Sequence, residues 1–241
     1  MERQPGRVIG DDLTYGPLDV TQGTLRFILA TVPGLGGFAE ILAEVQGAAQ
    51  LRLFRTWFQE LADQIEGLRW SLHEIEANSR LNTAIIRASL IASRTHVAET
   101  RAALLNGVVS VADSDLDDDV THMFFSQIEE LTPTHIKTLR YLDNVQEPAG
   151  RHQIMEGLDR KLPEVARRGL RQKVLYDLQR AGFVGPSAVP PLGSGVVVAG
   201  GDQIDKGDLV TPFGKEFLEF ISSRRTARGA EGGAEGGMAT H

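Results

Sequence analysis

Between residues 51 and 75 the apolar positions keep one register. Leu51, Phe54, Phe58, Leu61, Ile65, Leu68, Leu72 and Ile75 alternate spacings of three and four without a slip. That period places all eight on one stripe of a helix, an a/d seam that needs a cover. The pattern predicts a long helix from about Phe38 to about Ala77, with Trp57 and Trp70 beside the seam. Gly67 weakens it by roughly 1 kcal/mol relative to alanine, which packing can offset. The cover is either another helix of this chain or a second copy of it.

Asn78 or Ser79 fits as the cap of the next helix, residues 80–105, with apolar positions at Leu81, Ile85, Leu90, Ile91, Val97, Leu104 and Leu105. Asn106-Gly107 reads as its stop. The two helices together read as an antiparallel hairpin. Upstream, residues 21–31 fit a short helix and Pro33-Gly34-Leu35-Gly36-Gly37 a turn. Residues 1–20 form an irregular lead-in.

Beyond Asp113 the pattern changes. A helix with Leu116, Val120, Phe124, Ile128 and Leu131 follows five aspartates, Asp113, Asp115, Asp117, Asp118 and Asp119. Thr132-Pro133 opens a helix with Ile136, Leu139 and Leu142 inward. Further helices fit residues 152–167, interrupted or restarted at Pro163, and Leu170 to Ala181, the latter with Leu170, Val174, Leu175 and Leu178 inward. Gly182 fits the C-terminal cap and Phe183 its apolar follower. Val196-Val197-Val198 and Leu209-Val210 read as two strands around a glycine-rich tip, and Thr211-Pro212 caps a last helix with Phe213, Phe217, Phe220 and Ile221. The tail after Arg228 reads GAEGGAEGG and has too little apolar surface to fold.

From residue 133 to 223 this order is three helices, a strand, a tip, a strand and a helix, which is the order of a winged helix-turn-helix. Its third helix would be the recognition helix and residues 196–210 its wing. Charge bears on this reading. Between Arg151 and Val184 eight basic residues face four acidic ones, a net +4 on a chain of −7, leaving −11 for the rest. Arg167, Arg168, Arg171 and Lys173 are therefore the candidate nucleic-acid-binding residues. Against it, the wing carries Asp202, Asp205 and Asp208 beside only Lys206, and winged helices also bind proteins.

Composition removes other functions. The chain of 241 residues has no cysteine, so disulfides, thiolate zinc sites and a cysteine nucleophile are excluded. An EF-hand loop starting at Asp113 would need Gly at its sixth position and Glu at its twelfth, where this chain has Asp118 and Phe124. The aspartates read instead as helix N-terminal acids. The six histidines include no i, i+4 pair, and no phosphate-binding loop or nucleophile elbow occurs. No catalytic residue, metal site, cofactor or small-molecule substrate is expected. The first twenty residues carry no apolar signal core, so a cytoplasmic location is expected. The apolar stretch 25–42 is broken by Pro33 and its glycines and is too short to span a bilayer, so membrane contact would require a conformational change.

Three segments carry a family resemblance: the helix around Glu99-Thr100-Arg101-Ala102-Ala103-Leu104-Leu105, Phe124-Phe125 followed by Leu131-Thr132-Pro133 and Leu139, and Leu209-Val210-Thr211-Pro212-Phe213-Gly214 leading into Phe217. On these the chain resembles bacterial helical proteins of the Abi-alpha (abortive-infection-associated) type. The resemblance covers roughly residues 95–221 and implies a bacterial cytosolic protein with a role in phage defence.

The expected architecture is mainly α: a lead-in over 1–20, a helical hairpin or bundle over 21–112, a winged-helix-like α+β domain with a small β-hairpin over 113–224, and a disordered tail over 225–241. The expected function is a non-enzymatic interaction or effector protein that self-associates, or binds a protein partner, through the seam. The alternatives are a DNA-binding regulator using helix 167–181 and a membrane-active effector using hairpin 25–42.

Overall fold

The computed structural model describes residues 48–67, 77–145, 150–167, 169–188 and 209–222. These are mainly helical, and among them there is no strand; Val184 and Val210 form an isolated antiparallel bridge. The lead-in, hairpin 25–42, Val196–Val198, the wing tip and the tail lie outside the described residues.

Helix α1 (Ala48–Gly67) buries Phe54, Trp57, Phe58, Leu61, Ala62 and Ile65. Those spacings make a stripe wider than an a/d seam, of the kind a globular helix lays on two neighbours. The neighbours are α2 (Ser79–Arg94) and α3 (Ala98–Asp113) of the same chain. Gln50 at the start of α1 donates to the Ser93 carbonyl near the end of α2, so α1 and α2 run antiparallel, as the hairpin reading requires. Trp57 Nε1 donates to the Arg101 carbonyl at 2.8 Å, pinning α1 to α3. Each large side chain buried here contributes on the order of 2 kcal/mol. The seam residues Phe54, Phe58, Leu61 and Ile65 are thus covered within the chain and offer no surface to a second copy. Leu51 is half-buried, and Leu68, Leu72 and Ile75 lie outside the described residues.

Asn78 caps α2, its Oδ1 accepting from Leu81 N–H at 2.9 Å. The expected helix over 80–105 is two helices, broken at Thr95–Val97. Thr95 is extended, and its hydroxyl accepts the Val97 N–H at 3.2 Å, competing with the helical pattern. The expected stop at Asn106-Gly107 lies instead inside α3. Asn106 donates to the Ile221 carbonyl, and Gly107 leaves room for the Phe220 ring, which a Cβ would meet at 2.7 Å. The dipeptide is a packing point, not a terminus.

Helix α4 (Asp118–Glu130), capped by Asp117, packs on α2 and α3. Then follow α5 (Pro133–Asp143), α6 (Arg151–Lys161) and α7 (Leu170–Arg180), with both α6 and α7 against α5. The C-terminus of α7 closes as the sequence predicts. Gly182 takes φ +77, its N–H bonds to Gln179, and the Phe183 N–H reaches the Leu178 carbonyl.

The chain then turns through Pro186–Ala188, and α8 (Pro212–Phe220) lies against α3 and α5. It brings Phe213, Phe217 and Phe220 onto Phe124, with Phe183 stacked on Phe217 at 4.4 Å. One continuous core therefore runs from Phe54 to Ile221, across the boundary drawn at residue 112.

The strand expected at Val196–Val198 lies outside the described residues; among these, Val210 pairs with Val184. The Gly185 N–H bonds to Leu209, and the Thr211 N–H to Phe183. The chain leaving α7 is already extended where its return crosses it.

Candidate nucleic-acid interface

Helix α7 has two faces set by its sequence. Val174, Leu175 and Leu178 are buried. On the other side Lys173, Tyr176 and Arg180, at spacings of three and four, are exposed. Leu170 continues this outer face, 36% exposed, and Tyr176 is 45% exposed. The expectation that Leu170 faces inward is corrected. In the first turn, beside Gly169, it lies past the edge of the buried stripe.

The four predicted basic residues have different surroundings. Arg167 is exposed just before the helix. Arg168 lies outside the described residues. Arg171 is half-buried and bridges to Asp159 of α6 at 2.5 Å. Lys173 projects outward and pairs with Asp177 one turn on. Surface pairs of this kind contribute about 0–1 kcal/mol, so both cations can exchange partners at small cost.

Asp177 is the one carboxylate of α7, and it is held. It accepts from Lys173 and lies 3.2 Å from His135 Nε2. Burial raises its pKa, but the hydrogen bonds from Lys173 and His135, with the ammonium charge of Lys173, outweigh that and hold the carboxyl below its usual range. The outer face is therefore cationic and amphipathic, with Gln172 and Gln179 half-buried along its sides.

Tyr176 and Arg180 escaped the sequence reading, which selected basic residues near the helix start. Their signal was present: they fall at i+3 and i+7 from Lys173, in register with one another and out of register with Val174 and Leu178.

Among the described residues no three His, Asp or Glu side chains converge as a metal site, and no helix is long and apolar enough to cross a membrane. No family model, no curated protein and no solved structure matches the chain.

Proposed function

We propose that α5, α6 and α7 form a helix-turn-helix module and that the outer face of α7 binds a nucleic-acid duplex. The observation that carries this is the exposed row Lys173, Tyr176, Arg180 on the third helix of the unit, led by Arg167. Cations on such a row meet phosphates, and tyrosine, arginine and glutamine are side chains that reach base edges in a major groove. The crossing of Val184 and Val210 at the end of α7 supports reading the chain beyond as a wing. Asp202, Asp205 and Asp208 in that stretch would repel phosphates, which favours α7 for the duplex contact. This function is non-enzymatic, and with the Abi-alpha resemblance it suits a bacterial phage-defence regulator.

The test is binding of a fluorescent DNA duplex followed by anisotropy at rising salt. Wild type should bind at low salt and release steeply as salt rises. The variant R167A/R171A/K173A should lose binding while its far-ultraviolet dichroism stays unchanged. Equal anisotropy for wild type and variant at low salt would overturn the proposal.

A second reading has its own observation. Leu170 and Tyr176 are two of four large apolar side chains exposed among the described residues, and both are on α7. They favour a protein partner on the same face. Capture by such a partner would depend on these two residues and only weakly on salt.

A further inference from the structure

A second site lies on the opposite half of the sequence and shares no residue with α7. Helices α2 and α4 run parallel, joined by Arg80 to Asp118 at 2.8 Å and further along by Arg87 to Ser126 at 2.7 Å. Between them is a cleft of about 280 Å³. Ala84 and Phe125 form its apolar part, and Arg80, Arg87, Asp118 and Asp119 its charged part, with His122 beside them. The volume suits a small molecule, not a macromolecule.

The charges in this cleft are not all matched. Arg80 and Asp118 neutralise each other. Arg87, half-buried, touches no carboxylate: Nη2 donates to Ser126, and Nη1 meets His122 Nδ1. Burial pushes its guanidinium below the usual value, and Glu129 opposes this through space without touching it. At the other end Asp119 is exposed, and its carboxylate has no cationic partner among the described residues. A half-buried guanidinium without an anion is costly. A simple anion is nonetheless a poor match, because the Asp119 carboxylate lines the same cleft and repels it.

We propose that the cleft binds a small zwitterion, with its anionic group on Arg87 and its cationic group on Asp119. Arg80 and Arg87 are seven residues apart on α2, a rise of roughly 10 Å. Asp119 adjoins the partner of Arg80, so the two ligand charges must be separated by a chain, as in an ω-amino acid. The apolar stretch of that chain would lie over Ala84 and Phe125.

Calorimetric titration of the full chain with the series from 4-aminobutyrate to 8-aminooctanoate tests this, with hexanoate and hexylamine as single-charge controls. One member or more should bind at one site, at least tenfold tighter than either control. R87Q should abolish that binding. D119N, at an exposed position that leaves folding intact, should bring the best zwitterion down to the affinity of hexanoate. Melting curves for both variants separate loss of the site from loss of the fold. The proposal is overturned if no member of the series binds the folded wild-type chain. It is equally overturned if hexanoate binds as well as the zwitterions, or if folded D119N binds like wild type.

Discussion

His135 Nε2 lies 3.2 Å from Asp177 Oδ2, joining the first turn of α5 to the middle of α7. The proton on this bond is fixed from the other side of the ring. Nδ1 accepts the Thr132 backbone N–H at 3.2 Å, so Nε2 carries the hydrogen and donates it to the carboxylate. One imidazole thus closes the start of α5 and aims α7, with Lys173 as the second donor to Asp177.

Removing that link should loosen α7 on α5. H135A leaves Asp177 short of a donor, and D177N weakens both bonds. Each should cost about 1–2 kcal/mol in urea unfolding. The acid limb adds a second readout. Asp177 has a folded pKa below its unfolded one, so its contribution is complete above the unfolded value near 4. It is lost as pH falls through the lower folded value. Wild type should therefore lose stability on acidification below about pH 4 more steeply than D177N. Parallel acid limbs would remove Asp177 from this role.

Two glycines separate close contact from backbone strain. A Cβ at Gly214 would sit 2.3 Å from the Phe183 carbonyl oxygen, which is backbone and cannot turn aside. G214A should lose about 1–3 kcal/mol, because α8 must move off Phe183. At Gly169 a Cβ meets nothing, but φ is +83. G169A should lose about 1–2 kcal/mol through conformation alone. The melting temperature of G169N should fall less than that of G169A, since asparagine tolerates this region, whereas G214N should be no better than G214A.

The phenylalanine cluster should unfold as part of the whole. Phe124 meets Phe213, Phe217 and Phe220 within 5.0 to 5.4 Å between ring centres. F124A should cost about 3–5 kcal/mol. Because the core is continuous from α1 to α8, tryptophan fluorescence of a W70F chain, which leaves Trp57 as its one tryptophan, and far-ultraviolet dichroism should report one shared transition, shifted equally by F124A. Two transitions, with only one shifted, would restore the division near residue 112.

Local chemistry was legible in the sequence where a few adjacent residues decide it. The Asn78 cap, Thr132-Pro133, Thr211-Pro212 and the Gly182-Phe183 closure all follow from neighbours in the chain. What tertiary packing decides was not legible. Nothing local says that Gly107 admits Phe220 instead of ending a helix, nor that Trp57 turns a narrow seam into a stripe for two helices. The Val184–Val210 pairing joins residues far apart in the sequence, and Val196–Val198 has the stronger local β-propensity. On α7 the buried stripe was legible in its period. The outer row was missed because composition drew attention to basic residues, when position on the helix selects Tyr176.

The outer row of α7 should divide into residues that hold a duplex and residues that read it. Lys173 is a flexible point charge, so K173A should weaken every duplex alike and lower the slope of log affinity against log salt by about one. Tyr176 has no charge, so Y176A should leave that slope unchanged. If Tyr176 faces base edges, the substitution should alter the ranking of duplexes selected from a random pool, with losses of about 1–3 kcal/mol for the preferred sites. A Y176A protein that keeps wild-type ranking while binding all duplexes more weakly would make Tyr176 a backbone contact. One that leaves DNA binding untouched but releases a protein partner would move the face to the second reading. The exposed ring at the centre of the cationic row makes this single substitution the most informative measurement on α7.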